Sequence, residues 1–344
     1  MSERVLAVVV TYNPELAALG ALLQATLPQV DGVLLVDNAS ENIKAIRDLI
    51  VNFEITDEES LANEESSTNE ESSTNKKPLT IDEQDQNIGL GATHNIGLRF
   101  AKAQKFDYVL LLDQDSVPMT DMVVNLVQAH QKKSKLGKVS ATGVTYLNVD
   151  TGSESFFVRF GLLKFERLYG ADRDSDNCIA TDFLISSGSL LSLDNIDEIG
   201  EMDESLFIDH VDTEWFLRAK DKGYQSFGVC DAIMQHGLGE TTHQFNLNTN
   251  FISRLVGYKS KSKRKRNVPQ HKPFRYYYIF RNSVLLYKRG YCSNLWKWND
   301  VQRLSIIAIM FGFFKAPRRE NLSMMLRGLR DGLRNVSGLL KDQS

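Results

Sequence analysis

The chain has 344 residues, is 42% hydrophobic and carries a formal net charge of −4, enough for one large α/β domain with an appendage or for two domains. Its three cysteines, Cys178, Cys230 and Cys292, are far apart and odd in number, which argues against a disulfide framework or a cysteine zinc site and suits a reducing compartment. The small net charge hides a polarity: residues 254–334 hold 20 Lys and Arg against three acids, a net +17, leaving −21 for the rest, so the C-terminal part is expected to meet an anionic partner.

The opening Met-Ser-Glu-Arg runs directly into a strand-like apolar stretch, 5–10, without the basic region, apolar core and cleavage site of a secretory leader, and a cytoplasmic location is expected. The turn Thr11-Tyr12-Asn13-Pro14 follows, then a helix with Leu16, Leu19, Leu22 and Leu23 on one side. A second strand, 32–36, ends in Asp37-Asn38-Ala39-Ser40. This alternation predicts an open, mostly parallel sheet with polar loops at its strand ends. Residues 54–77 interrupt it with an acidic tract in which Asn63-Glu-Glu-Ser-Ser-Thr-Asn69 is copied as 69–75. Such a tract lacks the apolar surface to offset its ordering entropy and is expected to be a disordered surface insertion.

Beyond it, Asn87-Ile-Gly89-Leu-Gly91-Ala-Thr-His94-Asn95 imitates a dinucleotide fingerprint, but His94 stands where the third glycine belongs. The glycines instead suit a close backbone approach to a ligand or a sharp turn, with Asn87 and Asn95 supplying amides. The run Tyr108-Val-Leu-Leu-Leu-Asp113-Gln-Asp115-Ser-Val-Pro118 is a buried strand with two carboxylates at its exit. Ligands of open α/β sheets sit outside the carboxyl ends of such strands, and residues i and i+2 share a side. Asp113 and Asp115 can therefore face one hard cation, Mg²⁺ or Mn²⁺, although an acidic turn capping the next helix uses the same residues.

The motif Ser187-Gly188-Ser189 precedes a stretch, 202–224, that reads as a helix from Asp212 onward. Acids lie in its first turn, Trp215 and Phe216 on its apolar side, and Gly223 at its stop. Acids there are helix caps or, beside a metal-bound phosphate, a base. A strand at 226–230 leads to His236, a ligand or a hydrogen-bonded structural histidine.

Taken in order, 10–14, 36–40, Asn87-x-Gly89 with Asn95-x-Gly97, Asp113-Gln-Asp115, Ser187-Gly-Ser and Phe207-Ile-Asp209-x-x-Asp212-x-Glu214-Trp215, joined by the later Arg275-Tyr-Tyr-Tyr-Ile-Phe-Arg281-Asn282, resemble the inverting glycosyltransferases of family 2. The resemblance is greatest to bacterial rhamnosyltransferases that use dTDP-L-rhamnose. It implies a GT-A fold: a catalytic domain over 1–250 with a mostly parallel sheet, and a helical C-terminal extension over 251–344. It also implies that Thr11, Tyr12, Asn13, Asp37, Asn87, Asn95 and Asp113 bind the nucleotide sugar, that Asp115 and His236 hold a divalent cation, and that Asp212 is the general base. Val211 replaces the first acid of the family's base motif, so Asp209 and Glu214 compete with Asp212. The Trp215-x-x-Arg218 spacing favours Asp212. Gly188, Asp209, Glu214, Trp215, Arg275, Tyr278 and Asn282 are assigned to the acceptor side, although Arg275, Tyr278 and Asn282 suit a brace between the two halves equally well.

In the C-terminal part, the polybasic run 259–266 is followed by the apolar run 304–314, too short to span a bilayer, which takes roughly 20 apolar residues. Trp296, Trp298, Phe313 and Phe314 with Lys315, Arg318 and Arg319 are the mixture expected at a membrane surface, or in a basic face around a helical core or a homodimer contact. The expected partners are a nucleotide-sugar donor, a glycan acceptor on a polyprenyl diphosphate, and the inner face of the plasma membrane. The alternatives are a relative using a UDP- or GDP-sugar, or a basic nucleic-acid-binding protein. The latter lacks any groove-reading module, so no nucleic acid is expected.

Overall fold

In a computed structural model, residues 3–64, 78–148, 152–236, 242–245, 266–269 and 271–340 are described. The elements in order are β1 (Val5–Thr11), α1 (Leu16–Thr26), β2 (Gly32–Asp37), α2 (Ile43–Glu64), β3 (Leu79–Glu83), α3 (Leu90–Ala103), β4 (Tyr108–Asp113), β5 (Ser116–Pro118), α4 (Met122–Ser134), β6 (Val139–Asn148), β7 (Phe157–Phe160), β8 (Phe165–Leu168), β9 (Cys178–Thr181), β10 (Ser189–Ser192), α5 (Ile196–Ile199), α6 (Val211–Asp221), β11 (Gln225–His236), β12 (Thr242–Phe245), β13 (Arg266–Pro269), α7 (Pro273–Tyr287), α8 (Asn294–Ile307), a π-helical turn Ala308–Phe314, and α9 (Arg318–Leu333). Of the 54–77 insertion, α2 covers the part up to Glu64, and 65–77 lie outside the described residues, as does the polybasic run up to 265.

Among the described residues one sheet runs β3-β2-β1-β4-β10-β6-β11-β5, with β9 also on β11. The first four strands are parallel, as are β6 and β11, whereas β10 is antiparallel to both neighbours. Continuous apolar runs explain the parallel half: β1, β2 and β4 are covered on both faces, so nearly every residue is buried. Alternation then divides each strand between two cores. Leu6, Val8, Leu34 and Val36 join one, and Val5, Ala7, Val9, Val33 and Leu35 the other.

The C-terminal helices are part of the same body. Leu285 and Leu286 of α7, with Cys292 and Trp296, belong to the core cluster that contains Leu6 and Val8, so packing continues across residue 250. Helix α7 is buried from Tyr276 through Leu286, Arg281, Asn282 and Ser283 included. It lies close to α9 because Gly328 and Gly332 stand at the contact: a Cβ on Gly328 would come within 2.4 Å of the Tyr277 carbonyl oxygen.

Candidate active site

Residue Asp113 closes β4 beside Val10 of β1, and a two-residue turn through Asp115 leads into β5. Both acids thus stand at the carboxyl edge of the parallel strands, where the sequence places a ligand. The loop after Phe183 ties this edge together. Ser187 Oγ accepts from the Asp113 backbone N–H at 3.0 Å and lies 3.0 Å from Ser116 Oγ. The backbone N–H of Ser186 points at the Asp212 carboxylate. Tyr146 Oη donates to the Ser187 carbonyl. Burial, and then the negative charges of Asp113, Asp212 and Asp115, push the proton affinity of Tyr146 well above that of an ordinary phenol. The charges of the three acids named from sequence thus all bear on one tyrosine, which no motif had marked because it stands alone on β6.

Gly188 sits in this loop with φ +71°, and a Cβ there would lie 2.3 Å from Val144 Cγ2. It shapes the loop, a position where any side chain would clash.

Asp212 lies in the first turn of α6, with Thr213 N–H donating to its Oδ1 at 2.6 Å. Burial raises its pKa, the Thr213 N–H opposes this, and the nearby Asp209 charge adds to it. The competing acids are otherwise engaged. Glu214 is fully enclosed and accepts from Arg218 Nε and Nη2 at 2.8 and 2.9 Å and from Tyr291 Oη. Asp209 pairs with Arg275 at 2.7 Å. Trp215 is buried at 0% exposure and donates to the Gly200 carbonyl at 2.8 Å. Glu214 and Trp215 thus hold α6 in place and are not positioned to touch an acceptor.

At the nucleotide side a similar sorting occurs. Thr11 and Asp37 are buried and bonded to each other at 2.9 Å, and Asp37 also accepts from Ser40 N at 2.8 Å and from Ser40 Oγ. They fix the strand-end loops from within. The exposed rim consists of Tyr12, half exposed, and Asn13. The Tyr12 N–H donates to Gln114 Oε1 at 2.7 Å, and Asn13 is held at φ +48° by Ser40 and the Glu41 N–H. Asn38 Nδ2 donates to Asn87 Oδ1 at 3.0 Å while Asn38 Oδ1 accepts from Ile88 N–H at 2.8 Å, clasping the loop before α3 to the end of β2. Asn95 is 1% exposed and exchanges hydrogen bonds with the Met202 backbone, so it joins α3 to the 202–204 segment and does not line a nucleotide cleft.

A cleft of about 420 Å³ runs between Gln86–Ile88, α3, Glu204, Phe207 and Gly338–Leu339. It shares Asn87 with the nucleotide side, yet none of the three gathered acids lines it.

The residues present suit a divalent cation. Two adjacent carboxylates at a strand exit are the usual protein share when substrate phosphates supply further oxygens. Among the described residues no three His, Cys, Asp or Glu side chains form a metal cage. His236 continues β11 beside Ser116 of β5, and its side chain lies outside the described residues.

No family model matches the chain. The dTDP-rhamnosyl transferase RfbF of Shigella flexneri is 25% identical over 341 residues, covering 98% of each chain. A solved structure of GalNAc-T7 with UDP, GalNAc and Mn²⁺ superposes with a TM-score of 0.56 at 12% identity; the match covers 97% of this chain, which spans only 56% of that protein. TarS of S. aureus, residues 1–349, gives 0.52 at 12% identity, covering 96% of this chain and 80% of the other. The fold is thus GT-A-like, with C-terminal helices.

Proposed function

We propose that the chain, which has a GT-A-like fold and is 25% identical over its full length to a dTDP-rhamnosyl transferase, is a glycosyltransferase that moves L-rhamnose from dTDP-L-rhamnose to a hydroxyl of a glycan, with inversion. The observation that carries the chemistry is the gathering of Asp113, Asp115 and Asp212 at the carboxyl edge of the sheet. Asp113 and Asp115 would hold the divalent cation, which when bound neutralises charge on the departing diphosphate. Tyr12, Asn13 and Asn87 flank the donor. Asp212 takes the proton of the acceptor hydroxyl as that oxygen bonds to the anomeric carbon and the bond to the diphosphate breaks on the opposite face. Its raised proton affinity favours that role.

The test is a thermal-shift panel of nucleotide diphosphates and nucleotide sugars with and without Mn²⁺ or Mg²⁺, since a ligand of the native state raises apparent stability by mass action. Metal-dependent stabilisation by dTDP and dTDP-L-rhamnose is expected. Stabilisation by UDP or GDP species alone would overturn the donor.

A lipid-linked acceptor is favoured by one surface. Helix α8 and the turn after it expose Trp298, Val301, Ile306, Ile309, Phe313 and Phe314, followed by Lys315, Arg318 and Arg319. No helix among the described residues is long and apolar enough to cross a membrane. The face suits the interface of an anionic bilayer, where basic residues would also meet the diphosphate of a polyprenyl carrier. On this reading the enzyme works at the inner face of the plasma membrane, in the cytoplasm.

A further inference from the structure

The turn that leads into α6 carries an unusual concentration of backbone strain. Phe207 has φ +66° and ψ −65°, closed by Ile208 N–H donating to the Leu206 carbonyl at 2.8 Å, a γ-turn of the strained hand. Asp209 and His210 follow at φ +58° and +62°. Three departures of this kind within four side-chain-bearing residues persist only where neighbours over-determine them. Those neighbours lie on α7. Asn282 Nδ2 donates to the carbonyls of Leu206, Ile208 and Asp209 at 3.0, 2.9 and 2.8 Å. Arg281 Nη2 also reaches the Leu206 carbonyl at 2.9 Å, and its Nε holds Asn282 Oδ1 at 2.9 Å, which fixes the amide's orientation. On the far side, Leu90 N–H donates to the Phe207 carbonyl at 2.6 Å, so the same turn abuts the N-terminus of α3 and the Asn87–Gly89 loop.

We propose that Asn282 is a positioning residue for the transfer reaction: by reaching the carbonyls of Leu206, Ile208 and Asp209 it holds the strained turn 206–210 in the shape that sets Asp212 against the Asn87–Gly89 loop. The inference rests on the reading of Asp212 as the base. A single buried amide within reach of three carbonyls replaces contacts that water would otherwise make, and it does so where the turn into α6 meets both α7 and the Asn87–Gly89 loop. The C-terminal helices are then part of the catalytic frame.

The experiment compares wild type, Asn282→Ala, Asp212→Asn and the double variant. Turnover is followed as dTDP release from dTDP-L-rhamnose with Mn²⁺ and water as acceptor. Backbone hydrogen exchange over 206–213 is followed in parallel. Displacing a catalytic group by about an ångström costs on the order of 10²-fold. The expected result is a fall of that order in kcat for Asn282→Ala with donor KM nearly unchanged, faster exchange confined to the turn, and no further loss in the Asp212→Asn background. Phe207→Gly accepts the left-handed backbone without a Cβ penalty, so added to Asn282→Ala it is expected to restore part of the rate, and it carries the comparison if the single variant does not fold. Wild-type kcat in Asn282→Ala, an equal fall in both backgrounds, or absence of rescue overturns the proposal while leaving Asp212 in place. Full turnover by Asp212→Asn overturns the base reading and the proposal with it. If the wild type releases no dTDP, unchanged exchange over 206–213 in Asn282→Ala overturns it.

Discussion

Replacing Asp212 by Asn keeps the shape of the first turn of α6 and removes only the proton acceptor. We expect a loss of roughly 10²–10⁴-fold in transfer rate with donor binding retained, measured by kinetics beside calorimetric titration of the donor. In the wild type, activity is expected to fall as pH drops through the Asp212 pKa, which burial places above the usual carboxylate range. Gly188→Ala tests the loop that joins the acids. Its Cβ would meet Val144 at a φ that disfavours any side chain, so a destabilisation of roughly 2–5 kcal/mol is expected in denaturant unfolding. At this scale the sequence put Asp113 and Asp115 directly after a buried strand, and the structure has Asp113 at the carboxyl end of β4. It did not distinguish Asp37, Asn95 and Glu214, polar residues whose atoms are consumed inside the fold, from Asp113 and Asp212.

Among the elements, α7 and α8 show how polar residues in a helix are sorted by what lies beside them. Tyr278 is buried, stacks on Phe207 with ring centroids 5.3 Å apart, and accepts from Leu340 N–H at 2.8 Å, so it braces the turn that leads into α6. Arg275 pairs with Asp209 of the same turn. Helix α8 is divided lengthwise. Its inner side carries Arg303, whose Nη2 donates to His210 Nε2 at 2.9 Å, and Asp300, which pairs with Arg303. Its outer side carries the exposed Trp298, Val301 and Ile306. Replacing Phe313 and Phe314 by Ser is expected to weaken sedimentation with anionic vesicles several-fold while leaving the fold intact, because both rings are outside the core. Binding to neutral and anionic vesicles alike at all salt concentrations would remove the electrostatic part of the idea, and a concentration-dependent dimer without vesicle binding would assign the face to a second copy.

For the molecule as a whole, three buried imidazoles couple folding to pH. Burial lowers the pKa values of His94, His130 and His210 from 6.5 to about 4. The unfolded chain therefore takes up these protons first. The stability each contributes is complete above pH 6.5 and is lost as pH falls toward 4, on the order of 3 kcal/mol for each in full. Asp212, shifted upward, acts in the opposite sense, one group against three. Melting temperature is expected to decline across that interval, and His130→Gln to flatten the decline by roughly a third, one histidine of three.

The sequence by itself determined the strands and the edge of the sheet at which the acids emerge. Uninterrupted apolar runs such as 5–10 and 108–112 can be satisfied only by burial on both faces, and acids directly after them must emerge at the sheet's carboxyl edge. Local patterning also marked the start of α6 and the helical character of the C-terminal part. Only the tertiary structure decided which polar groups form the frame and which remain for a ligand, because that depends on partners distant in the chain: Asn95 meets Met202, Glu214 meets Tyr291, and Asn282 meets the turn at Leu206. Tyr146 gained its significance for the same reason, since its strand gives no motif and the charges of Asp113, Asp212 and Asp115 bear on it only in the folded chain.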